Sequence, residues 1–370
     1  MPLSRREVLK GAAVLGSMAS VSGAIDGTPA ASAATPIGVT SPKSITSANY
    51  FDLSTTTTAS FAAPGYLKGL HPAQSHYQVQ GLAFDSVNSA FFVAQTPNPD
   101  PLRLTLRMDG QAWSADSYDP HSSGDLVFSR FSLATGKITG SAYLMGAGHG
   151  GQIAVEPGGA FPYLWSEIYP GNPKGSDRKV YGTRIGRLPY ISGGLITNTE
   201  NVLGKRNQAP YTVSRWLPVA GSHQYSATID SSVASGTPNG SLIVRFRLNT
   251  DPPGAPKHLV AYDLAAARAG DFSTPLAATT EPIEIARSEG FAVCGQYVYL
   301  VGTDSAGNSS LYQVDFNGVP GTYLAKVGLP GNGEPESVAL YAPNGIPVRL
   351  YYLSAGTSRP RTFQLYSLDS

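Results

Sequence analysis

The sequence GHGGQIAVE at residues 148–156, followed by YLWSE at residues 163–167, decides the fold of this chain. It predicts a glycine-rich polar turn, a short apolar strand, a Pro/Gly turn and a second apolar strand. Glycine allows positive φ and a close approach of the backbone to other groups, so the turn presents His149 at the entrance of a strand without shielding it. We therefore expect a strand pair with an accessible imidazole at its start.

The same layout recurs along the chain, with anchor residues at Ala83, Ala154, Thr228, Ala292 and Ala339. Each anchor lies in a short apolar stretch that runs into a second one, and the anchors follow one another at intervals of about 45 to 75 residues. The residues before the first unit and after the last together amount to roughly one repeat. A ring needs this arrangement if strands from both ends close its last unit.

The composition supports a chain built of strands. Among the 370 residues are 41 Gly and 29 Pro, which suit many short strands joined by turns. The one modest helical candidate, LVAYDLAAAR at residues 259–268, is typical of a strand followed by one helical turn. Because stacking in a ring buries faces that one unit alone leaves open, we predict an all-β, five-bladed β-propeller whose last blade is closed by strands from both termini. The alternative is a large β-sandwich or two β domains.

The first residues predict an export signal. SRREVLK at residues 4–10 is a twin-arginine motif, and a mildly apolar run and ASAA at residues 31–34 follow it, as in a small-residue cleavage site. The apolar run is too short and too rich in Gly and Ala to span a bilayer, so we expect no stable membrane insertion. Residues 1–34 are therefore predicted to be the signal peptide of a protein that is secreted after folding.

Two further segments follow from the composition. The mature chain is predicted to begin near Ala34 or Thr35. Residues 35–60 are rich in Thr, Ser and Ala and are expected to be a mobile lead-in, with a candidate closing strand at residues 50–53. Residues 61–370 are predicted to be a single β-propeller domain that acts as a monomer.

The charge and cysteine content exclude several classes of protein. Charged residues make up 14% of the chain and the net charge is +1, which gives no basic footprint for a nucleic acid. The single cysteine, Cys294, excludes an internal disulfide and is predicted to be buried and inert. The sequence contains no G-x-S-x-G elbow, no H-E-x-x-H motif and no P-loop. Stability must come from a large core, which a chain of this length can build.

Several motifs together resemble one family. They are VQGLAFD at 79–85, FFVAQ at 91–95, GHGGQIAVE and YLWSE as quoted above, SEGFAV at 288–293 and PESVALY at 335–341. They look like the TagC-like propellers, a family of proteins named for teichoic-acid biosynthesis protein C and of receptor-binding tail proteins of phages that attack Gram-positive cells. The resemblance spans residues 65–355. It implies a five-bladed propeller associated with cell-wall polymers, whereas fold alone does not imply a function.

His149 is the leading candidate for chemistry. A histidine in a glycine-rich turn can act as an acid or base, a metal ligand, or a hydrogen-bond donor to a sugar or phosphate. The alternative is a structural histidine that holds the inner strand. With Tyr181 and Arg184, His149 resembles the His/Tyr/Arg sets of polysaccharide lyases, which need a base for the C5 proton and a cation for the uronate carboxylate. His223 beside Tyr225 is a second candidate set.

Four polar residues lie at or next to the same register of their units: Gln80, Gln152, Glu289 and Glu336. At the entrances of inner strands they would converge on the central channel of a propeller. Converging polar groups suit glycan hydroxyls or a calcium ion. The alternative is that each of them bonds the backbone of the neighbouring blade.

Further candidates surround the stretch that decides the fold. Trp165 is placed to stack on a sugar or, alternatively, to fill the core between blades, and Glu167 follows it in the same strand. Arg184 and Arg187 belong to the most basic segment, residues 171–188, and suit phosphate groups unless they are simply solvated.

These patterns favour a secreted propeller that binds a glycan or cell-wall polymer, because no carboxylate pair or triad stands out. The alternative is a polysaccharide-cleaving enzyme, either a lyase or a glycoside hydrolase, that uses His149 with the nearby tyrosine and arginine. A third hypothesis is a propeller that serves only structure or protein interaction.

Overall fold

The computed structural model describes residues 50–70, 72, 78–97, 124–156, 161–170, 181–196, 201–203, 211–212, 214–232, 240–330, 333–343, 346, 349–356 and 362–369. The predicted signal peptide and residues 35–49 lie outside these ranges. Within them, no helix is long and apolar enough to cross a membrane.

The first two blades are each built on an antiparallel core of strands that follow one another in the chain. The first blade contains β1 (Val79–Asp85), β2 (Ala90–Gln95), β3 (Leu126–Ser132) and β4 (Ile138–Leu144). The second blade contains β5 (Ala154–Glu156), β6 (Tyr163–Pro170) and β7 (Gly182–Pro189). Its fourth strand, β11 (Ser214–Trp216), comes later in the chain and pairs with β7. Three short strands extend the sheet of the first blade beyond β4, namely β8 (Leu195–Ile196), β9 (Asn201–Leu203) and β10 (Tyr211–Thr212).

The other three blades follow in chain order. The third blade contains β12 (Ser222–Ile229), β13 (Ser241–Leu248), β14 (His258–Asp263), the short helix α1 (Leu264–Arg268) and β15 (Ala277–Thr280). The fourth blade contains β16 (Ile285–Cys294), β17 (Tyr297–Asp304), β18 (Ser309–Asp315) and β19 (Ala325–Gly328). The fifth blade contains β20 (Glu334–Tyr341), β21 (Arg349–Ala355) and β22 (Phe363–Asp369). Short 3-10 turns precede the first blade at Thr58–Ser60 and Gly65–Leu67.

The five sheets form a ring. The first strand of each blade, β1, β5, β12, β16 and β20, contacts the first strand of the next, and β20 contacts β1. All five anchor residues of the sequence repeat lie in or at these inner strands. The prediction of an all-β, five-bladed β-propeller is confirmed.

One hydrophobic cluster fills each interface between neighbouring blades. The clusters join the first blade to the second, the second to the third, the third to the fourth, the fourth to the fifth, and the fifth back to the first. Blades are therefore buried on both faces, which explains why all seven residues of β1 are buried. Cys294 is fully buried and free, as predicted.

The segment before the first blade reaches the outer edge of β22. The backbone of Ala62 pairs with that of Ser367, and the backbone of Leu70 pairs with that of Phe363, as two isolated bridges. Residues 62–70 contribute two bridges and no regular strand. Closure of the last blade by strands from both termini is therefore not confirmed.

The candidate closing strand at residues 50–53 is not a strand. The backbone N–H of Phe51 donates to the Tyr299 hydroxyl over 2.8 Å, and the N–H of Leu53 donates to Gln313 Oε1 over 2.9 Å. Both side chains are buried in the cluster between the fourth and fifth blades. Side-chain partners satisfy the backbone here, so no ladder with a neighbouring strand is needed.

Candidate functional site

Three of the four polar residues predicted to share a register lie at equivalent places in their blades. Gln80, Glu289 and Glu336 each sit where the pairing of the inner strand β1, β16 or β20 shifts in register near the strand entrance. The inner strand β12 has the same irregularity between His223 and Ser226. Such bulges bend a strand and redirect its side chains, so the entrances of four inner strands share one local geometry.

Gln152 closes the axis of the propeller. Its Nε2 donates to the carbonyl of Leu82 over 3.0 Å and to that of Ile153 over 2.9 Å. Its Oε1 accepts from the backbone N–H of Phe291 over 3.1 Å and from the Ser337 hydroxyl over 2.8 Å. One fully buried amide thus joins the first, second, fourth and fifth blades. This arrangement matches the alternative in which the register residues bond the backbones of neighbouring blades.

The inner strands approach one another so closely at this level that glycine is required. A Cβ at Gly290 would lie 2.5 Å from Cα of Ser337 and 2.7 Å from Oε1 of Gln152. The backbone of β16 therefore packs directly against Ser337 and Gln152 at this level. Across the described ranges, no group of three or more His, Cys, Asp or Glu side chains is arranged to hold a metal ion, so the calcium hypothesis gains no ligand set from them.

Three glutamates gather between the fourth and fifth blades around one guanidinium. Arg287 donates to Glu289 and to Glu334, and the Gln78 amide donates to Glu334 and Glu336. Glu336 is buried, and burial together with the charges of Glu289 and Glu334 raises the pKa of its carboxyl well above the usual value. The Gln78 amide and the Arg287 guanidinium oppose this shift.

We expect Glu336→Gln to make the protein more stable at pH 8 than the wild type, by about 1–2 kcal/mol, and roughly as stable at pH 4.5. Because the folded pKa of Glu336 lies above its unfolded value, its stabilising contribution is present at low pH and is lost as the pH rises through the folded pKa. Glutamine keeps an acceptor for Gln78 and removes the charge. Thermal unfolding at both pH values measures the effect. Glu284→Gln is the control and should not stabilise, because Lys326 lowers the pKa of Glu284. A Glu336→Gln protein less stable than wild type at both pH values would contradict the prediction.

Glu167 anchors the glycine-rich turn that carries His149. Its buried carboxylate accepts hydrogen bonds from the backbone N–H groups of Gly150 and Gly182. Burial raises the pKa of the Glu167 carboxyl, and these N–H groups oppose the shift. A Cβ at Gly148 would lie 2.3 Å from Oε2 of Glu167, so only glycine fits there. The structure gives Glu167 a role in shaping the turn and keeps it away from solvent.

His149 is half-buried and packs against a second candidate residue. Its ring meets the ring of Tyr181 edge-on, with 5.2 Å between the centroids. His149 directly precedes Gly150, and Tyr181 directly precedes Gly182. The Glu167 carboxylate therefore holds the backbone next to each of the two rings. The predicted meeting of His149 with Tyr181 is present. Arg184, in contrast, is exposed and lies over the ring of Tyr169 at 5.3 Å.

Trp165 and Arg187 belong to a packed cluster in the second blade. Trp165 is fully buried, stacks on Trp216 and donates from Nε1 to Glu156 over 3.0 Å. Arg187 donates to the same carboxylate from Nε over 3.0 Å and from Nη2 over 2.7 Å, and Arg268 lies 3.1 Å from it. Trp165 fills the core, as the alternative interpretation held, and Arg187 is already paired.

A cavity of about 460 Å³ opens where the second, third and fourth blades meet. It is lined by Tyr181 before β7, by His223 and Gln224 of β12, and by Ala286, Arg287 and Ser288 of β16. The remaining lining residues are the end of β13 and the segment between β13 and β14: Arg247, Leu248, Asn249, Asp251, Pro252, Pro253, Gly254 and Lys257. Two of the four predicted catalytic residues, Tyr181 and His223, line this cavity. His149 is next to the cavity through its ring contact with Tyr181.

A buried network of hydrogen bonds around Arg245 lies next to the cavity. Arg245 donates to Ser226 Oγ over 2.9 Å, to Ser288 Oγ over 2.9 Å and to the carbonyl of Glu289, and it pairs with Glu281 at 3.3 Å. Because Arg245 and Glu281 are both buried and paired, they hold the strands of the third and fourth blades in a fixed relation. His223 lies on β12, the strand paired with the β13 strand that carries Arg245.

Sequence reasoning missed the cations of this cavity. Arg247 pairs across the strands with His223, which puts both side chains on the same face of the third blade. Lys257 lies 3.3 Å from Ser288 Oγ, and burial together with Arg245 and Arg247 lowers its pKa to about 8. The available signal is the strand SLIVRFRL at 241–248, where two arginines alternate in an otherwise apolar strand.

Comparison with solved structures identifies related architectures. The tail fibre of Staphylococcus aureus phage P68 matches with a TM-score of 0.50 and 14% identity over 81% of this chain and 53% of the tail fibre. A GH62 hydrolase solved with xylotriose matches with a TM-score of 0.43 and 9% identity over 83% of this chain and 96% of that one. Trypanosoma rangeli sialidase solved with 2,3-difluorosialic acid matches with a TM-score of 0.37 and 7% identity over 85% of this chain and 59% of the sialidase.

The chain spans about half the length of the phage tail fibre that it matches. At this identity the likeness concerns the β-propeller fold alone. No protein-family profile and no curated protein sequence matches the chain.

Proposed function

We propose that this chain is a secreted propeller that binds a glycan of the cell envelope or of an external polysaccharide in the cavity between the second, third and fourth blades. The observation that carries the proposal is the convergence of polar side chains from three blades on one concave site. Concave sites with a few converging polar groups are where ligands bind. Tyr181 and His223 supply a ring for stacking and hydrogen-bonding groups for sugar hydroxyls.

The cell-envelope part of this proposal rests on the sequence. The twin-arginine motif at residues 4–10 supports export, and the motif resemblance to TagC-like propellers supports a wall polymer as the partner. The buried positions of Gln80, Gln152, Glu289 and Glu336 favour the cavity over the axis as the binding site.

A panel of wall polymers and plant polysaccharides tests the proposal. We expect the full chain to bind at least one polymer, and Tyr181→Ala and His223→Ala each to weaken that binding by about tenfold or more, because each removes a direct contact. The melting temperature should stay within a few degrees of the wild type for both. Binding that is unaffected in both variants, or a wild type that binds no polymer, would refute the proposal.

A second candidate function is cleavage of an acidic polysaccharide by β-elimination. The observation that favours it is an amine with a pKa of about 8, Lys257, in one cavity with Tyr181, His223 and Arg247. A base removes the C5 proton of a uronate, its electron pair forms the C4–C5 double bond, and the C4–O bond breaks as the leaving oxygen takes a proton. A cation neutralises the carboxylate meanwhile. Release of products that absorb as unsaturated uronates separates cleavage from binding.

The glycoside-hydrolase form of the alternative has less support. Glu336 has the raised pKa that a general acid needs, and Glu289 and Glu334 lie beside it. Glu336 is only 2% exposed, however, so its carboxyl does not reach a substrate in the cavity.

A further inference from the structure

We infer that Arg247 and Lys257 form an anion subsite in the cavity, so that the glycan it takes carries an oxyanion, either a uronate carboxylate or a phosphodiester. The inference rests on the proposed function and deepens it, because it assigns the chemical class of the ligand. It follows from which charges around the cavity are paired and which are not.

The carboxylates near the cavity already have partners. Asp251 accepts from the N–H of Leu248 over 2.7 Å and lies 3.3 Å from His258 Nε2. Glu281 pairs with Arg245, at 3.3 Å. Glu289 and Glu334 pair with Arg287, and Glu336 accepts from the Gln78 amide.

Two cations of the lining are left over. The guanidinium of Arg247 forms no ion pair or hydrogen bond with any residue in the described part of the chain, and the amine of Lys257 has only the Ser288 hydroxyl, at 3.3 Å. Both lie in the same cavity, and Arg247 is close enough to disfavour the charge on Lys257. Two neighbouring cations that no carboxylate contacts directly are costly at a half-buried site, and an oxyanion between them lowers that cost.

The shape of the two groups fits an oxyanion. A guanidinium presents a planar fork that two oxygens of a carboxylate or phosphate can match, and an ammonium adds a point charge beside it. His223 faces the cavity from the strand paired with that of Arg247, and its Nδ1 lies 2.9 Å from Asn249 Oδ1. The sugar ring next to the oxyanion would therefore meet the imidazole and Tyr181.

The lowered pKa of Lys257 predicts how binding responds to pH. The groups that face the amine are Arg245 and Arg247, which lower the pKa, and Glu281 and Glu289, which raise it. Because the amine loses its proton near pH 8 in the free protein, affinity for an oxyanion should fall as the pH rises from 7 to 9. A bound oxyanion should in turn raise the pKa of Lys257.

Calorimetric titration with three polymers tests the inference. Polygalacturonate and a glycerol-phosphate teichoic acid carry the two kinds of oxyanion, and the methyl ester of polygalacturonate is the matched neutral chain. We expect the wild type to prefer at least one acidic polymer to the neutral chain. Arg247→Met and Lys257→Met should each weaken that binding by about ten- to a hundredfold. Lys137→Met, an exposed lysine in the turn between β3 and β4, should have no effect.

The outcomes separate the inference from the proposed function. Lys257→Met should keep or raise the melting temperature, since burial disfavours the charged amine, so a loss of affinity would not reflect unfolding. If the wild type binds the neutral chain as tightly as the acidic ones, or if both variants bind like the wild type, the anion subsite is refuted and glycan binding stands. If no glycan of the wider panel binds, both proposals fall. The preferred acidic polymer distinguishes carboxylate from phosphodiester.

Discussion

Replacing Gln152 with alanine should lower the free energy of unfolding by about 3–4 kcal/mol and the melting temperature by roughly 5–10 °C. Four hydrogen bonds end on this one amide, and they join the second blade to the first, fourth and fifth. Alanine leaves the buried carbonyl of Leu82 and the N–H of Phe291 without these partners. An unsatisfied buried polar group costs about 1–3 kcal/mol, so several such losses at one point exceed the effect of an ordinary core mutation.

The matched control for Gln152 is another buried glutamine. Gln313 is 2% exposed, and its Oε1 accepts one hydrogen bond, from the N–H of Leu53 over 2.9 Å. Gln313→Ala should cost about 1–2 kcal/mol. Denaturant unfolding of both variants compares one lost bond with four. If Gln152→Ala costs no more than Gln313→Ala, the axis does not depend on the amide.

Replacing Glu167 with glutamine should lower the free energy of unfolding by about 2–4 kcal/mol although the side chain keeps its size. Both carboxylate oxygens accept backbone N–H groups, one from Gly150 and one from Gly182. A glutamine must point its own NH₂ at one of these donors, and two donors cannot bond each other. His149 directly precedes Gly150 and Tyr181 directly precedes Gly182, so the backbone that positions this pair should loosen as well.

Two measurements check the Glu167 prediction. Denaturant unfolding gives the change in the free energy of unfolding caused by Glu167→Gln. The control is Glu284→Gln, since Glu284 lies at the surface and pairs with Lys326 at 2.8 Å. That change should cost less than about 1 kcal/mol. Glycan affinity should fall further in Glu167→Gln than in Glu284→Gln. A Glu167→Gln protein with the stability of the control would show that the turn holds without the carboxylate.

The ring of five blades could be predicted because every inner strand carries the same signal. Ala83, Ala154, Thr228, Ala292 and Ala339 all fall in β1, β5, β12, β16 and β20. An inner strand is buried on both faces, so it appears as a short apolar run that ends at turn residues. The helical turn after β14 was also predicted, and it is α1 at Leu264–Arg268.

The extension of the first sheet could not be predicted. Strands β8 and β9 follow β7 of the second blade in sequence, yet β8 pairs in parallel with β4 of the first. These strands contain two and three residues, too few to show a period. Their pairing depends on how the two blades stack, which no local pattern records.

The repeat in the sequence predicts where the polar residues of the inner strands lie, but not which groups they bond. Equal register placed Gln152 near the axis, but only the folded ring decides between a ligand and the neighbouring blades as its partner. Tyr181 and His223 were assigned to separate candidate sets, and stacking of the second and third blades brings them to one cavity. Lys257 carries no sequence signal, because a single lysine after a Pro/Gly loop resembles any solvated surface residue.

Amide hydrogen exchange with and without the best-binding polymer tests most directly whether the cavity is the binding site, because it makes no assumption about where the polymer lies. We expect slower exchange in three segments: the entrance of β12 around His223, the loop at residues 249–257, and the entrance of β16 at residues 285–288. Outer strands such as β19 and β22 should be unchanged. Protection confined to those outer strands, or to the surface around Arg187 and Glu156, would contradict a glycan site between the second, third and fourth blades.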